Sequence, residues 1–390
     1  MSSFPTFTKM LDTNKINIEG AEISWFAPIC DGDDDFLGNR NPAYKSNWVN
    51  TSNIVKTADK LGFRNILCPS SYQVGQDTLS FVAGMVSLTK QINFLAAVRC
   101  GEIHPPMLAR TIATLDHMLK GRLTINIISS DLPGNQLSSQ ERYLRSREVI
   151  EILKQAWSSD FINFKGKYYK FNLSSDPVKT YQKGGPLLYF GGYSPDGIEL
   201  CAEHCDVYLM WPETEKKLQG LMDVMTKKAN DYGRKVQFGL RVHVIVRETE
   251  KEARAYAENL LSKLDVNLGV NIRNRSQDSN SLGVSRQSKL REEADEKYYV
   301  EPNLWTGIGL ARSGCGAALV GNPDQIVKKL EKYIEMGIRS FILSGYPHKQ
   351  ECELFARHVL PKIKNISLPE ELGRLPKTTP KSPLGAGKRV

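Results

Sequence analysis

Eight times along this chain, a short run rich in Val, Ile, Leu, Phe or Tyr gives way to a stretch with helical spacing of apolar residues. That alternation leaves two architectures open, both built from parallel strands joined by helical crossovers. The strand runs are Ala21–Pro28, Arg64–Cys68, Ile92–Arg99, Leu123–Ser129, Pro186–Gly191, Val207–Trp211, Phe238–Val246 and Ser340–Gly345. The helices between them lie near Trp48–Leu61, Thr78–Thr89, Pro106–Leu119, Tyr143–Trp157, Gly197–Ala202, Thr214–Tyr232, Lys251–Leu264 and Pro323–Met336, with a last one at Gln350–Val359. Eight strands with eight helices are what a closed (β/α)₈ TIM barrel requires, and 390 residues suit one with insertions. An open doubly wound sheet would carry a glycine-rich turn after its first strand. Here that strand runs into Cys30–Asp35 (CDGDDD), and no G-x-G-x-x-G opens a helix. The fragment Gly385–Lys388 imitates part of a phosphate loop but lacks the following Ser/Thr and a flanking strand.

Two stretches interrupt the pattern. Phe161–Phe171, centred on Gly166, reads as a hairpin. Residues 266–316, rich in Asn, Ser and Arg, read as a long loop; in a compact domain such a loop is commonly a lid over an active site. The expected organisation is one barrel domain over 1–367 with this insertion, then a basic, Pro-rich tail over 368–390 without regular structure that could also fold over the barrel mouth. Between Pro361 and Val390, seven Lys/Arg against two Glu hold +5 of the net +9. The positive excess is therefore largely terminal, and no nucleic-acid motif accompanies it. Cys201, His204 and Cys205 give a zinc-like hint without a second ligand pair, so no metal is expected, and the seven cysteines read as reduced thiols. Neither a membrane span nor a secretory leader is visible in the sequence, and Met1–Lys15 is polar; a cytoplasmic protein is expected.

In a barrel of this kind the site lies at the C-terminal ends of the strands. The two-residue strand period puts Leu240, Val242, Val244 and Val246 on one face of the seventh strand and Arg241, His243 and Ile245 on the other. The aliphatic face suits the outer helices, which turns Arg241 and His243 into the barrel. A guanidinium there needs either an internal carboxylate or an anionic ligand. Trp211 ends the sixth strand in the inward phase, as a core residue or a site residue. Tyr346 follows the eighth. After the fifth strand, Gly191, Gly192, Tyr193 and Ser194 lead into a helix N-terminus and form a credible phosphate cradle, though Gly-Gly before a helix is also ordinary turn chemistry. Ser129 after the fourth strand, with Arg142 and Tyr143 at the next helix, would converge on the same phosphate. Arg312, among Gly309, Gly314 and Gly316, is either an exposed loop residue or a cation able to close over an anion.

Five stretches, LYFGGYS (Leu188–Ser194), DVYLMW (Asp206–Trp211), RVHVIVR (Arg241–Arg247), NLWTGIGLAR (Asn303–Arg312) and FILSGYPH (Phe341–His348), together resemble the bacterial luciferase-like flavin monooxygenases, and among them the alkanesulfonate monooxygenases. The resemblance runs from about Ile23 to Ile363. It implies a homo-oligomeric barrel (dimer or tetramer) that takes reduced FMN from a separate NAD(P)H-dependent FMN reductase and uses O2. Oxygen would add at the flavin C4a, and the peroxyflavin would oxygenate a small anionic sulfonate, releasing sulfite and an aldehyde. It also implies Trp211, Arg241, His243, Arg312 and Tyr346 around the reacting centre. Two positions depart from the family pattern: Cys30 stands where a histidine is usual, and Pro69–Asp77 lacks the usual cysteine. The departures bear on the substrate more than on the flavin; a sister monooxygenase acting on a sulfone or another small substrate and a non-catalytic flavin-binding barrel are the alternatives.

Overall fold

The computed structural model describes residues 18–380 apart from 31, 40, 72–74, 133, 176–178, 266, 268–281 and 313. Met1–Lys15 and Gly385–Lys388 lie outside the described residues, as does part of the expected lid. Eight strands form the barrel: β1 (Glu22–Phe26), β2 (Asn65–Cys68), β3 (Asn93–Arg99), β4 (Leu123–Ile128), β5 (Leu188–Phe190), β6 (Val207–Met210), β7 (Gln237–Val246) and β8 (Ile338–Ser344). Each pairs in parallel with the next, and β1 pairs with β8, so the sheet closes. The outer helices are α1 (Trp48–Leu61), α2 (Thr78–Met85), α3 (Pro105–Met118), α4 (Ser139–Ser158), α5 (Pro195–His204), α6 (Glu215–Asp231) and α7 (Glu250–Leu261). The (β/α)₈ expectation holds, and the hairpin after α4 is present as Phe161–Lys165 paired with Lys170–Ser174.

Local chemistry sets the element ends. The Ser138 hydroxyl and Glu141 carboxylate close a reciprocal capping box that starts α4. Gly62 ends α1 at φ 90°, a left-handed turn that glycine adopts without strain.

The insertion corrects the loop reading. It holds helix α8 (Leu282–Glu292) and the short strands Tyr299–Glu301 and Leu304–Trp305. These lead to Ala318–Gly321, which runs parallel to β7 beyond the point where β6 ends. Helices α9 (Pro323–Met336) and α10 (His348–His358) then flank β8. α8 lies over the C-terminal end of β6: Gln287 donates to the Pro212 carbonyl at 2.7 Å and accepts from the Gly316 amide at 3.0 Å.

The segment after Ser367 is not wholly irregular either. It makes a short helix, α11 (Leu368–Glu371), and closes the N-terminal end of the barrel, opposite the mouth. Leu368 and Leu372 pack with Leu67, Leu95, Tyr189 and Ile342 inside the sheet. The Leu368 amide donates to the carboxylate of Glu22, a fully buried residue that also accepts from Asn65, Tyr189 and Ser340. Burial pushes the Glu22 carboxyl above its ordinary range, against those four hydrogen bonds. Arg374 secures the segment by pairing with Asp206 at 2.9 Å.

Candidate functional site

β7 takes the parity the sequence dictates. Leu240, Val242, Val244 and Val246 join the apolar layer between strands and helices, while Arg241 and His243 face inward. Arg241 is 6% exposed, yet among the described residues no carboxylate pairs with it. Its Nη1 donates to the carbonyls of Val242 and Ile342 at 3.3 Å, its Nη2 donates to Ser344 Oγ at 2.8 Å, and the guanidinium sits 4.6 Å from the Phe26 ring centre. Burial lowers its affinity for the proton, but a guanidinium remains charged at neutral pH. Among the described residues the internal ion pair is thus not formed, and the groups that hold this cation are neutral.

His243 is buried beside it. Its Nδ1 lies 2.7 Å from Ser344 Oγ, and its ring stacks on Tyr346 at 5.3 Å. Burial first, then the charges of Arg241, His348 and Arg312, push the imidazole well below its ordinary range, so it is neutral at pH 7. Tyr346 is 4% exposed, and burial raises its phenol despite the nearby arginines. Arg312 stands over the Tyr346 ring at 5.1 Å and pairs with Asp34, so it is a largely buried cation rather than an exposed loop residue.

The structure adds a group that the sequence reading left without a role. His348, 1% exposed, meets Tyr346 edge-on at 5.0 Å. Its Nδ1 lies 2.9 Å from Asp33 Oδ1, which also accepts its backbone amide at 2.8 Å. Its Nε2 is buried with no hydrogen-bond partner among the described residues. The acidic run after β1 thus supplies partners to both His348 and Arg312. Alternating acidic and turn residues in a loop give no hint of that without the fold.

The second group of candidates meets in a pocket of ≈ 490 Å³ between the ends of β4, β5 and β6. Ser129, Arg142, Tyr143, Gly191, Gly192, Tyr193 and Ser194 all line it, together with Trp211 from β6 and Gly283 from α8. A Cβ at Gly192 would come within 3.3 Å of the Tyr143 hydroxyl, and one at Gly283 within 2.7 Å of the Trp211 ring, so glycine at both positions leaves room for an aromatic wall. Ser194 caps α5 by accepting the Gly197 amide at 3.2 Å. Arg142 pairs with Asp131 at 3.4 Å and donates to the Leu137 carbonyl, yet its Nε, like Ser130 Oγ, is buried without a partner among the described residues. The Tyr193 hydroxyl accepts the Trp211 amide at 2.6 Å and fixes the end of β6. A smaller polar pocket of ≈ 280 Å³, lined by Ser70, Gln76, Arg99 and Glu102 among others, adjoins the ends of β2 and β3.

Cys30 donates to the Pro69 carbonyl at 3.3 Å beside that pocket. Cys201 and Cys205 are buried, and His204 turns instead toward Glu151 and Glu203, 3.5 and 3.6 Å away, inside a charge network with Arg147. No helix among the described residues is long and apolar enough to cross a membrane.

A protein-family profile described as luciferase-like monooxygenase matches residues 22–340. The chain is 59% identical over 375 residues to a sulfoquinovose monooxygenase of Agrobacterium fabrum, covering 96% of this chain and 97% of that protein. It is 49% identical over 354 residues to a sulfoquinovose monooxygenase of Novosphingobium aromaticivorans, covering 89% and 98%. Among solved structures, DmoA of Hyphomicrobium sulfonivorans superposes with a TM-score of 0.74 at 18% identity, over 93% of this chain and 95% of that one.

Proposed function

Because the chain belongs to the luciferase-like monooxygenase family, we propose that it is a two-component, FMN-dependent monooxygenase cleaving the carbon–sulfur bond of a sugar sulfonate. The observation that carries the reading is Arg241: a buried cation beside a neutral imidazole, with no carboxylate partner among the described residues. A sulfonate supplies the missing charge. A simple alkanesulfonate is the weaker substrate proposal, since both relatives named above act on sulfoquinovose.

The residues of the larger pocket fit FMN. The buried Arg142 Nε and Ser130 Oγ lack partners, and the Gly191–Gly192 turn and the N-terminus of α5 favour a phosphate. Ser129, Tyr143, Tyr193 and Ser194 would hold the rest of the cofactor's polar edge. Bound and reduced, FMN supplies the two electrons that activate O2. The net reaction is R–CH2–SO3⁻ with O2 and reduced FMN giving R–CHO, hydrogen sulfite, water and oxidised FMN.

The chain's own part is binding, orientation and proton handling. Arg241 and Arg312 draw the sulfonate to the ends of β7 and β8, where each charge-assisted hydrogen bond is about twice as strong as a neutral one. His243 offers a neutral imidazole for proton exchange, and Tyr346 and Trp211 wall the centre against water. The 266–316 insertion acts as the lid. The same reading carries a separate NAD(P)H-dependent FMN reductase and a homo-oligomer in the cytoplasm.

The test is sulfite release under air with FMN, NADH and a generic flavin reductase. Sulfoquinovose is expected to exceed ethane- and octanesulfonate by tenfold or more in kcat/KM, an order-of-magnitude expectation of about 1.4 kcal/mol. Sulfite from alkanesulfonates alone would overturn the sugar assignment; no sulfite from any, with reduced FMN bound, would overturn the sulfonate reading.

A further inference from the structure

Ser344 ends β8 with no exposure to solvent, and its register partner across the sheet is His243. Its hydroxyl touches two groups of the site, Arg241 Nη2 at 2.8 Å and His243 Nδ1 at 2.7 Å. The two contacts differ in kind. A guanidinium only donates, so the oxygen accepts from Arg241. A serine has one proton to give, and among the described residues Nδ1 of His243 is the acceptor within reach.

If Nδ1 carried the imidazole proton, two donors would meet one oxygen and the hydroxyl proton would have no acceptor. Leaving a buried donor unsatisfied disfavours that arrangement by about tenfold or more. With Nδ1 bare, each proton has a partner. The neutral state of the ring, set by burial and by the neighbouring cations, leaves one imidazole proton to place.

We propose that Ser344 is a positioning residue: its hydroxyl holds His243 in the tautomer protonated at Nε2 and ties Arg241 to the same frame. The ring also meets the Cys315 backbone, a contact that favours its proton, so the Ser344 hydroxyl on Nδ1 decides which edge of the imidazole carries the N–H beside the Arg241 cation. In the other tautomer His243 would turn a lone pair toward negative charge and have no proton there to give. The consequence for turnover rests on the function proposed above; the tautomer is a property of the resting protein and does not.

The experiment uses the full chain labelled with ¹⁵N-histidine, which contains six histidines. Long-range ¹H–¹⁵N correlation spectra distinguish the tautomers, and His243→Gln identifies the relevant signal. The wild type is expected to show His243 as one form, protonated at Nε2. Ser344→Ala is expected to give a mixture or the Nδ1–H form, with kcat lowered about tenfold or more and KM for the sulfonate changed less than about threefold. Ser344→Thr, which keeps the hydroxyl, restores the Nε2–H form and most of kcat. A wild-type ring protonated at Nδ1, or an unchanged tautomer in Ser344→Ala, overturns the proposal. A changed tautomer with full kcat removes Ser344 from the mechanism. A changed tautomer in a protein that desulfonates nothing overturns the substrate reading and leaves the tautomer assignment standing.

Discussion

Replacing Arg241 by Met separates what this residue does for the fold from what it does for the reaction. The guanidinium is 6% exposed and held by one hydroxyl and two carbonyls, the latter at 3.3 Å. Hydrogen bonds to a charged group contribute about 1.5–3 kcal/mol each when well made, and two of these three are long. Against them stands a desolvation penalty of several kcal/mol that no described carboxylate offsets. The two sides nearly cancel, and exchanging a buried charge for an apolar chain of similar length is often neutral or stabilising by about 1–4 kcal/mol. At roughly 2 °C per kcal/mol for a chain of this size, Arg241→Met is expected to melt between unchanged and a few degrees higher. For the reaction the balance reverses. A cation and a sulfonate about 4 Å apart attract by about 4 kcal/mol at an effective dielectric near 20. Truncating one partner of such a pair costs about 2–5 kcal/mol, so kcat/KM is expected to fall about 30- to 5,000-fold. Scanning fluorimetry and sulfite release on the same preparation make the comparison. A melting temperature lower by more than about 5 °C would show that Arg241 is structural after all, and a kcat/KM within about threefold of wild type would show that no anion docks there.

Arg312→Ala is expected to keep reduced-FMN affinity while losing about 10²-fold or more of sulfite production, because its cation lies over Tyr346 beside Asp34; normal turnover would remove it from the site. The buried, depressed imidazole of His243 favours the neutral form in the folded state, so its contribution to stability is full above the unfolded value near ~6.5 and is lost as pH falls below it, by at most about 1.4 kcal/mol per pH unit. Melting curves from pH 8 to 5 should fall less steeply for His243→Gln than for wild type. Some slope will remain, because His117 and His204 shift the same way; parallel curves would contradict the burial argument. Gly283→Val is expected to press on the Trp211 ring, 2.7 Å from the added Cβ, and weaken FMN binding about tenfold with little change in melting, read by flavin titration.

The barrel was legible because its signal is repetitive and local. Each strand is a short apolar run, and each helix carries the spacing of a one-sided core. The inward turn of Arg241 and His243 followed from strand parity alone, and the seven residues of the phosphate-type cradle converge because the ends of β4 and β5 are neighbours in the sheet. The insertion was not legible for the same physical reason in reverse. In α8 the buried positions are Gly283, Gln287 and Leu290, a single aliphatic side chain among three, so it has no apolar stripe to read. The strand Leu304–Trp305 has two residues and is held between Tyr299–Glu301 on one side and Ala318–Gly321 on the other. Asp33 and Asp34 carry no local sign of a role, and the fold brings them against partners 315 and 278 residues away. Pairings across such separations leave no trace in local pattern.

The plug at the N-terminal end of the barrel has a consequence in time. Glu22 and the amide that completes its hydrogen bonds are 346 residues apart. At a synthesis rate of ~5–20 residues per second, roughly 17–70 s pass between making the first and making the second. Throughout that interval a carboxylate destined for an interior lacks the amide that completes its hydrogen bonds, and the ring lacks its floor. The barrel is thus floored by a segment made after all eight of its strands, at the end opposite the mouth. Ending the chain before Leu368 should therefore yield protein that is made but fails to close, visible as lost melting cooperativity rather than as altered kinetics; a cooperative, active truncation would show that the floor is ornamental.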